Sequence, residues 1–326
     1  MTIWNLPRID VLPVSEIGEQ RDVALVYSQA ALEAVGHRLD LPVASRGEAT
    51  QATEASFRAI AEGVFGDVVY AVGGGVAVDA AKFVGKLKDL PVVSIPTALT
   101  VDAFFTWASG VRAAGCVKYI ETGPPDRVII DFEILGAAPE PLRAAGVCDL
   151  LSIATGSWDW RFANEKGKLD RDTAYIEWAD RTAGSILEAA IDCAEAAGRG
   201  DREGLKQLVD CLALEVQLCN QIGHSRPEEG SEHYFAYLAE QIASRPHPHG
   251  DLVGPGILVA AFLQGQAIEP LKRALLAARV PLTHLTDTEI RDTLKALPDY
   301  VVRHDLAFGI AHTIASVPRD IHSVLR

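Results

Sequence analysis

Three side chains far apart in the sequence have the types that bind a divalent metal ion. Asp149 stands in the run RAAGVCDLLSIATG, His233 in RPEEGSEHYFAYLAE and His249 in RPHPHGDLVGPGILV. A carboxylate and two imidazoles that leave one coordination position open would form a catalytic rather than a structural site for a divalent metal. Either histidine alone would more often be a surface or structural residue. The prediction therefore depends on the three side chains lying together.

The local sequence supports each of these positions. His249 precedes Gly250 at the predicted start of a helix, whose dipole disfavours the imidazolium and so favours the neutral ring that a metal needs. His233 falls one turn into a predicted helix that begins at a Gly-Ser pair. Asp149 heads an apolar helical run, where an unpaired buried anion would be costly. The alternative is that Asp149 only caps its helix.

A glycine-rich turn is the strongest local signal in the first half of the chain. Gly73, Gly74 and Gly75 follow a predicted strand and open a predicted helix in VVYAVGGGVAVDAAKF. A backbone without Cβ atoms can approach a phosphate closely, and the helix N-terminus favours an anion. The pattern differs from GxGxxG, and a tight turn without a ligand is the alternative. Asp79 and Lys82, further along the helix, can be read as an exposed ion pair.

The loop SIPTALTVDAFFTWASG follows the next predicted strand. Its hydroxyls at Thr97, Thr100 and Thr106 and the carboxylate of Asp102 should lie at the carboxyl edge of the sheet. Open parallel sheets bind ligands at that edge. The alternative is that the threonines are ordinary turn and capping residues.

The elements that must position these residues change character along the chain. Up to about Ala137, β-rich runs such as DVALVYS, DVVYAV, PVVSIP and DRVIIDFEIL alternate with helical ones, which predicts a parallel sheet. Beyond that point the pattern is mostly helical. With 326 residues, two domains are expected. We place an α/β nucleotide-binding domain at residues 1–136 and an all-α metal- and substrate-binding domain at residues 137–326.

Composition limits the classes of function. The net charge of −14, with scattered lysines and arginines, argues against a nucleic-acid partner. Five cysteines without a CxxC pair indicate buried thiols rather than disulfides or a zinc knuckle. No stretch reads as a signal peptide or a membrane span. The sequence therefore predicts a cytoplasmic protein without a nucleic-acid or membrane partner.

Five motifs in order, between Gly73 and Leu258, resemble those of the sn-glycerol-1-phosphate dehydrogenases. They are AVGGGVAVDAAKF, SIPTALTVD, RAAGVCDLLSIATGSWDW, SRPEEGSEH and HPHGDLVGPGIL. That group belongs to the superfamily of iron-containing alcohol dehydrogenases and dehydroquinate synthases. The resemblance implies a dehydroquinate synthase-like fold, with the active site in the cleft between a nucleotide-binding domain and a helical domain.

The resemblance also implies roles for individual residues. The metal ligands would be Asp149, His233 and His249. The substrate would meet Asp102 and Tyr237. The positions that correspond to NAD(P) binding lie in the glycine turn, its helix and the following loop: Gly73, Gly74, Gly75, Asp79, Thr97, Thr100 and Thr106.

The sequence departs from this family around the substrate and the cofactor. The family has HDG where this chain has Val101 to Ala103, followed by the bulky Phe104 and Phe105, so we expect a reshaped pocket. Tyr237 stands where the family has a further histidine that contacts the substrate. Ser28 ends the first long strand, where NAD-selective relatives often carry an acidic residue, so NAD and NADP both stay open.

We therefore predict a metal-dependent, NAD(P)-linked oxidoreductase that acts on a small polyol or polyol phosphate. The favoured metal is zinc, with iron as the alternative, and homo-oligomerisation is left open. A second hypothesis is a dehydroquinate-synthase-like lyase or cyclase that uses bound NAD transiently. Those enzymes have GGGVxGD and a glutamate ligand, whereas this chain has VAVDAAK and Asp149. A third hypothesis is a protein that binds nucleotide without catalysis.

Overall fold

The structure, a computed structural model, describes residues 2–326 apart from the side chain of His322. These residues form two compact units, residues 4–143 and residues 144–326, with residues 2 and 3 grouped with the second. The break falls between Arg143 and Ala144, whereas the sequence analysis placed a boundary between residues 136 and 137. The assignment of two domains with that boundary stays a prediction.

The first unit contains a parallel sheet. In chain order its strands and helices are β1 (Arg8–Val11), β2 (Val23–Tyr27), α1 (Gln29–Val35), β3 (Val43–Glu48), α2 (Glu54–Gly63), β4 (Val68–Gly73), α3 (Gly75–Lys88), β5 (Val92–Pro96), β6 (Ala108–Ala113), β7 (Cys116–Glu121), β8 (Arg127–Ile130), α4 (Phe132–Ala137) and α5 (Glu140–Arg143). Six strands pair in the order β1-β8-β5-β4-β2-β3, all parallel. The parallel sheet expected from the sequence is confirmed.

Central strands β4 and β5 are buried along their whole length. This is the usual state of parallel strands that are covered on both faces, and it explains their continuous apolar runs. Gly73 pairs with Pro96 in the register of β4 and β5. The glycine turn and the threonine-rich loop therefore start side by side at the carboxyl edge of the sheet.

Two features of this unit differ from the sequence expectation. The run DRVIIDFEIL is not one strand, because β8 ends at Ile130 and α4 begins at Phe132. The Asp131 side chain caps α4 by accepting hydrogen bonds from the backbone amides of Glu133 and Ile134. Strands β6 and β7, which the sequence analysis missed, form an antiparallel hairpin. Its tip is Ala114 and Gly115, both with positive φ, as a two-residue primed turn requires.

The second unit is helical. Its α-helices are α6 (Val147–Leu151), α7 (Ile153–Glu165), α8 (Glu177–Arg199), α9 (Arg202–Ile222), α10 (Ser231–Ile242), α11 (His249–Leu263), α12 (Glu269–Ala277) and α13 (Asp287–Arg303). Short 3₁₀ turns of this unit are Arg171–Thr173, Ile310–Thr313 and Ile321–Val324, and those of the first unit are Val14–Glu16 and Gly36–Arg38. Helices α8 and α9 pack side by side, α10 packs on α11 and on α13, and α6 packs against α11.

The helices of the second unit pack against one another through small and apolar side chains. Where α8 meets α12, a Cβ on Gly198 would overlap the carbonyl oxygen of Ala277, so only glycine permits this approach. All five cysteines of the two units are buried and none forms a disulfide, as the sequence predicts. Among residues 2–326, no helix combines the length and the apolar character that crossing a membrane requires.

Candidate active site

The glycine turn connects the end of β4 to the start of α3. Gly74 is the N-cap residue of α3, and no side chain caps the helix there. A Cβ on Gly73, whose φ is +150°, would lie 2.8 Å from Oγ of Ser28, and a Cβ on Gly75 would lie 2.9 Å from Cγ2 of Val101. The first amides of a helix have no partner within it and carry its positive dipole end. The turn thus has the features of an anion-binding helix N-terminus.

Two threonines of the following loop lie at this turn. The backbone amide of Thr97 donates to the carbonyl of Gly73 at 3.3 Å. Oγ1 of Thr100 lies 3.2 Å from the position that a Cβ on Gly74 would occupy. The structure therefore brings together five of the residues assigned to the cofactor, namely Gly73, Gly74, Gly75, Thr97 and Thr100. Binding of NAD(P) by them stays a prediction.

The interpretation of Asp79 and Lys82 as an exposed pair is wrong. The Lys82 side chain is fully buried, and its Nζ lies 3.0 Å from Oδ1 of Asp79. Nζ also donates to Oγ1 of Thr106 at 2.9 Å and to the carbonyl oxygens of Ala103 and Ala108. Burial raises the pKa of Asp79, and the Lys82 charge opposes that rise only in part. These contacts tie residues 103–108 to α3, which is a structural role for Asp79 and Thr106.

Asp102 lies in the same loop and is half-buried. Its carbonyl oxygen accepts the amide of Phe105 at 2.8 Å, which closes a tight turn. Phe104 and Phe105 are almost completely buried and meet edge to face, with ring centroids 6.4 Å apart. This is the environment of packed core rings rather than of an open pocket wall. Contact of Asp102 with a substrate stays a prediction.

The three residues of the predicted metal site meet in the second unit. They come from separate helices, Asp149 from α6, His233 from α10 and His249 from α11. Nε2 of His249 lies 3.4 Å from Oδ1 of Asp149, and Nε2 of His233 lies 4.0 Å from the same oxygen. The ring centroids of the two histidines are 5.5 Å apart. Asp149 and His233 are buried, while His249 is partly exposed.

This arrangement fits a divalent cation. Each residue offers one ligand atom, and the three atoms lie within 4.8 Å of one another. In a tetrahedral zinc site with bonds of roughly 2.0 to 2.2 Å, ligand atoms are about 3.3 to 3.6 Å apart. The distance from His249 to Asp149 falls in that range, and the distance from His233 is slightly wider. The N-cap residue of α6 is Gly146, so Asp149 does not occupy the capping position that the alternative required.

Glu232 is a residue of this site that the sequence analysis missed. Its Oε1 lies 3.0 Å from Nδ1 of His233 and accepts the amide of Gly230 at 2.6 Å. Histidines that bind metals usually donate their other ring nitrogen to such a carboxylate. Burial lowers the pKa of His233, but Glu232, Glu229 and Asp149 outweigh burial and raise that pKa to about 9. Adjacent residues on a helix normally point in different directions, so the sequence does not indicate a contact between Glu232 and His233. The contact forms because the Glu232 side chain turns back towards Gly230.

Asp159 on α7 is a second residue that the sequence did not reveal. Its Oδ2 accepts the amide of Ser231 at 2.9 Å, and its Oδ1 accepts the amide of Ile310 at 2.8 Å and Nε2 of Gln264 at 3.0 Å. Burial and the nearby Glu232 raise the pKa of Asp159 to about 6, against these hydrogen bonds. Asp159 thus fixes the first turn of α10, which carries His233.

Tyr237 lies one turn after His233 on α10, and the two ring centroids are 6.0 Å apart. The Tyr237 hydroxyl donates to Oε1 of Glu229 at 2.7 Å, and Oε2 of Glu229 accepts from Ser225. The tyrosine is therefore beside the candidate metal site and is held by an acidic partner. Its contact with a substrate stays a prediction.

Comparisons with known proteins point in one direction. Residues 12–139 match the family described as iron-containing alcohol dehydrogenase. The glycerol-1-phosphate dehydrogenase [NAD(P)+] of Methanothermobacter thermautotrophicus is 31% identical over 264 residues, which cover 81% of this chain and 72% of the relative. The enzyme of the same name from Pyrococcus furiosus is 30% identical over 75% of this chain. The match spans 66% of that relative's length.

Solved structures share the fold. A probable glycerol dehydrogenase from Sinorhizobium meliloti superposes with a TM-score of 0.68 at 16% identity, covering 99% of this chain and 96% of the other. Glycerol dehydrogenase from Schizosaccharomyces pombe gives a TM-score of 0.66 at 15% identity, covering 99% and 89%. The fold class expected from the sequence is thereby confirmed.

Proposed function

Because the chain belongs to the iron-containing alcohol dehydrogenase family, we propose that it is a metal-dependent dehydrogenase that transfers hydride between a small polyol and NAD(P). The observation that carries this proposal is the meeting of Asp149, His233 and His249 from three separate helices. The relatives support it, since they are named as NAD(P)-linked dehydrogenases. The lyase or cyclase alternative has no such support among them.

Different residues of the chain would have different roles in this reaction. Asp149, His233 and His249 would hold the divalent cation, which when bound supplies a Lewis acid that polarises a substrate hydroxyl. Glu232 orients the His233 ring, so that Nε2 faces Asp149 and His249. Zinc is the metal we propose, because two imidazoles and one carboxylate with an open position form a typical catalytic zinc set.

The cofactor would bind at the glycine turn. The amides at the start of α3 would receive the pyrophosphate, and Gly73 to Gly75 leave room for it. Thr100, whose hydroxyl faces Gly74, would add a hydrogen bond. Ser28, packed beside Gly73, carries no charge that would favour NAD over NADP, so both nucleotides are to be compared.

For the substrate we propose an unphosphorylated polyol as the first choice. The polar groups around the two histidines are acidic, since Asp149, Glu229 and Glu232 all act on His233. Such groups accept hydroxyl donors, and they add no positive charge to that of the bound cation for binding a phosphate dianion. Tyr237, which replaces a family histidine, donates its hydroxyl to Glu229 and so adds no positive charge.

The test is a steady-state assay of nucleotide reduction with zinc or ferrous iron, with bound metal measured by mass spectrometry. We expect the nucleotide to be reduced when glycerol or a related polyol is the substrate, and to be reduced more slowly with glycerol 1-phosphate. Asp149→Asn should remove bound metal and turnover together while leaving circular dichroism unchanged. Substrate consumption without net accumulation of reduced nucleotide would instead favour the cyclase.

A further inference from the structure

A second group of metal-binding side chains lies outside the candidate active site. His247 precedes α11, Asp251 is in the first turn of α11, and His284 is in the loop before α13. Each offers one ligand atom, and the three atoms lie within 4.8 Å of one another. Neither the family resemblance nor the proposed dehydrogenase activity uses these residues.

The contacts within this group are close. Nδ1 of His284 lies 2.6 Å from Oδ2 of Asp251, and the ring centroids of His247 and His284 are 5.8 Å apart with a tilt of 33°. The Asp251 side chain is buried, whereas 40% of the His284 side chain is exposed. One carboxylate and two imidazoles thus lie within reach of one another, and the exposed His284 ring opens the group to solvent.

A hydrogen-bonded pair of Asp251 and His284 would account for two of these residues but not for the third. His247 brings a second imidazole to the same place. Neutral imidazoles and a carboxylate together present more lone pairs than protons. A divalent cation is one partner that can bind all three ligand atoms at once.

The group is separate from the candidate active site. His249 and Asp251 are two residues apart on α11, and such residues do not share a helix face. In keeping with this, His249 lies 3.4 Å from Asp149, while Asp251 contacts His284. The two groups share no ligand.

We propose that His247, Asp251 and His284 form a second divalent-metal site of the zinc class, with solvent completing the coordination. An ion held there fastens the loop before α13 to the first turn of α11. Because His284 is exposed, this ion exchanges with free metal more readily than one held by the buried Asp149 and His233.

The test counts zinc in the full chain after equilibration with excess zinc chloride and desalting. We expect two equivalents in the wild type, one in His284→Ala, one in Asp149→Asn and none in the double variant. His284→Cys should keep the second equivalent, since thiolate also binds zinc. His37→Ala, an exposed histidine of the other unit, is the matched control and should keep two.

A second measurement excludes a folding artefact. In the Asp149→Asn background, zinc should raise the melting temperature, because an ion that binds only the native state stabilises it. Adding His284→Ala should abolish that rise. A His284→Ala protein that keeps two equivalents, or a wild type that binds one equivalent lost entirely in Asp149→Asn, would overturn the second site.

Discussion

Oε1 of Glu232 lies 3.0 Å from Nδ1 of His233, on the opposite side of the imidazole from the nitrogen that faces Asp149. The carboxylate therefore fixes both the tautomer and the orientation of the ring. It is itself fixed, because the same oxygen accepts the amide of Gly230. His233 thus reaches the metal site with its rotation already restricted.

Replacing Glu232 by glutamine should weaken metal binding about 10- to 100-fold, because a neutral amide holds the ring less firmly. The glutamine can still accept the Gly230 amide, so folding should persist. Zinc affinity is measured by competition with a chromophoric chelator. Glu240→Gln, exposed at the other end of α10, is the control. Equal affinity in both variants would refute the positioning role.

Gly74→Val should weaken nucleotide binding by about 1.4 kcal/mol or more, a tenfold change in Kd. Its side chain would enter the space between the α3 N-terminus and Thr100, where a Cβ alone would come within 3.2 Å of Oγ1. Calorimetry with NAD and with NADP measures the effect. Gly184→Ala on α8, where a Cβ meets nothing within 4 Å, should bind as the wild type does. Unchanged affinity in folded Gly74→Val would argue against a phosphate site.

Tyr237→Phe should change the KM for the polyol by a factor of about five, because one hydrogen bond is worth about 1 kcal/mol. The change removes the donor to Glu229 and leaves that carboxylate free to accept a substrate hydroxyl. The affinity of Tyr237→Phe for the nucleotide, measured in the same experiment, should equal that of the wild type. If KM stayed the same for every polyol tested, Tyr237 would not belong to the substrate site.

Acid should reduce the stability contributed by Glu289. Its carboxylate accepts the amides of Thr286 and Ser244, and these hydrogen bonds lower the pKa of Glu289 to about 2. A group whose pKa is depressed by folding stabilises fully above its unfolded pKa and less as pH falls through the folded value. The urea midpoint of the wild type should therefore exceed that of Glu289→Gln at neutral pH, and the gap should narrow below about pH 4.5. A difference in urea midpoint that does not change with pH would contradict the lowered pKa of Glu289.

Sequence patterns predicted the features that depend on local residue type. The parallel sheet followed from apolar runs such as those of β4 and β5, and the glycine turn followed from Gly73 to Gly75. Residue type and family resemblance point to Asp149, His233 and His249, and the structure brings these three residues together. The role of these residues as metal ligands stays a prediction until metal is measured.

The rest depended on contacts between distant parts of the chain. The spacing of Asp79 and Lys82 fits an exposed ion pair, yet Lys82 is buried, and acceptors from Ala103, Thr106 and Ala108 converge on its Nζ. No pattern within one helix reports such a contact. The helix at Phe132 did have a local signal, since Asp131 and Glu133 favour a helix start, but the apolar run concealed it.

Asp159 connects segments of the chain that leave the ribosome at different times. Its carboxylate accepts hydrogen bonds from Ser231 and Ile310, which follow it by 72 and 151 residues. A buried carboxylate without these donors is costly, and the ribosome releases the chain from its N-terminus at about 5 to 20 residues per second. The full set of donors to Asp159 is therefore present only after Ile310 has emerged. A nascent chain that stalls before that residue would lack one of the hydrogen bonds to the carboxylate that holds the first turn of α10.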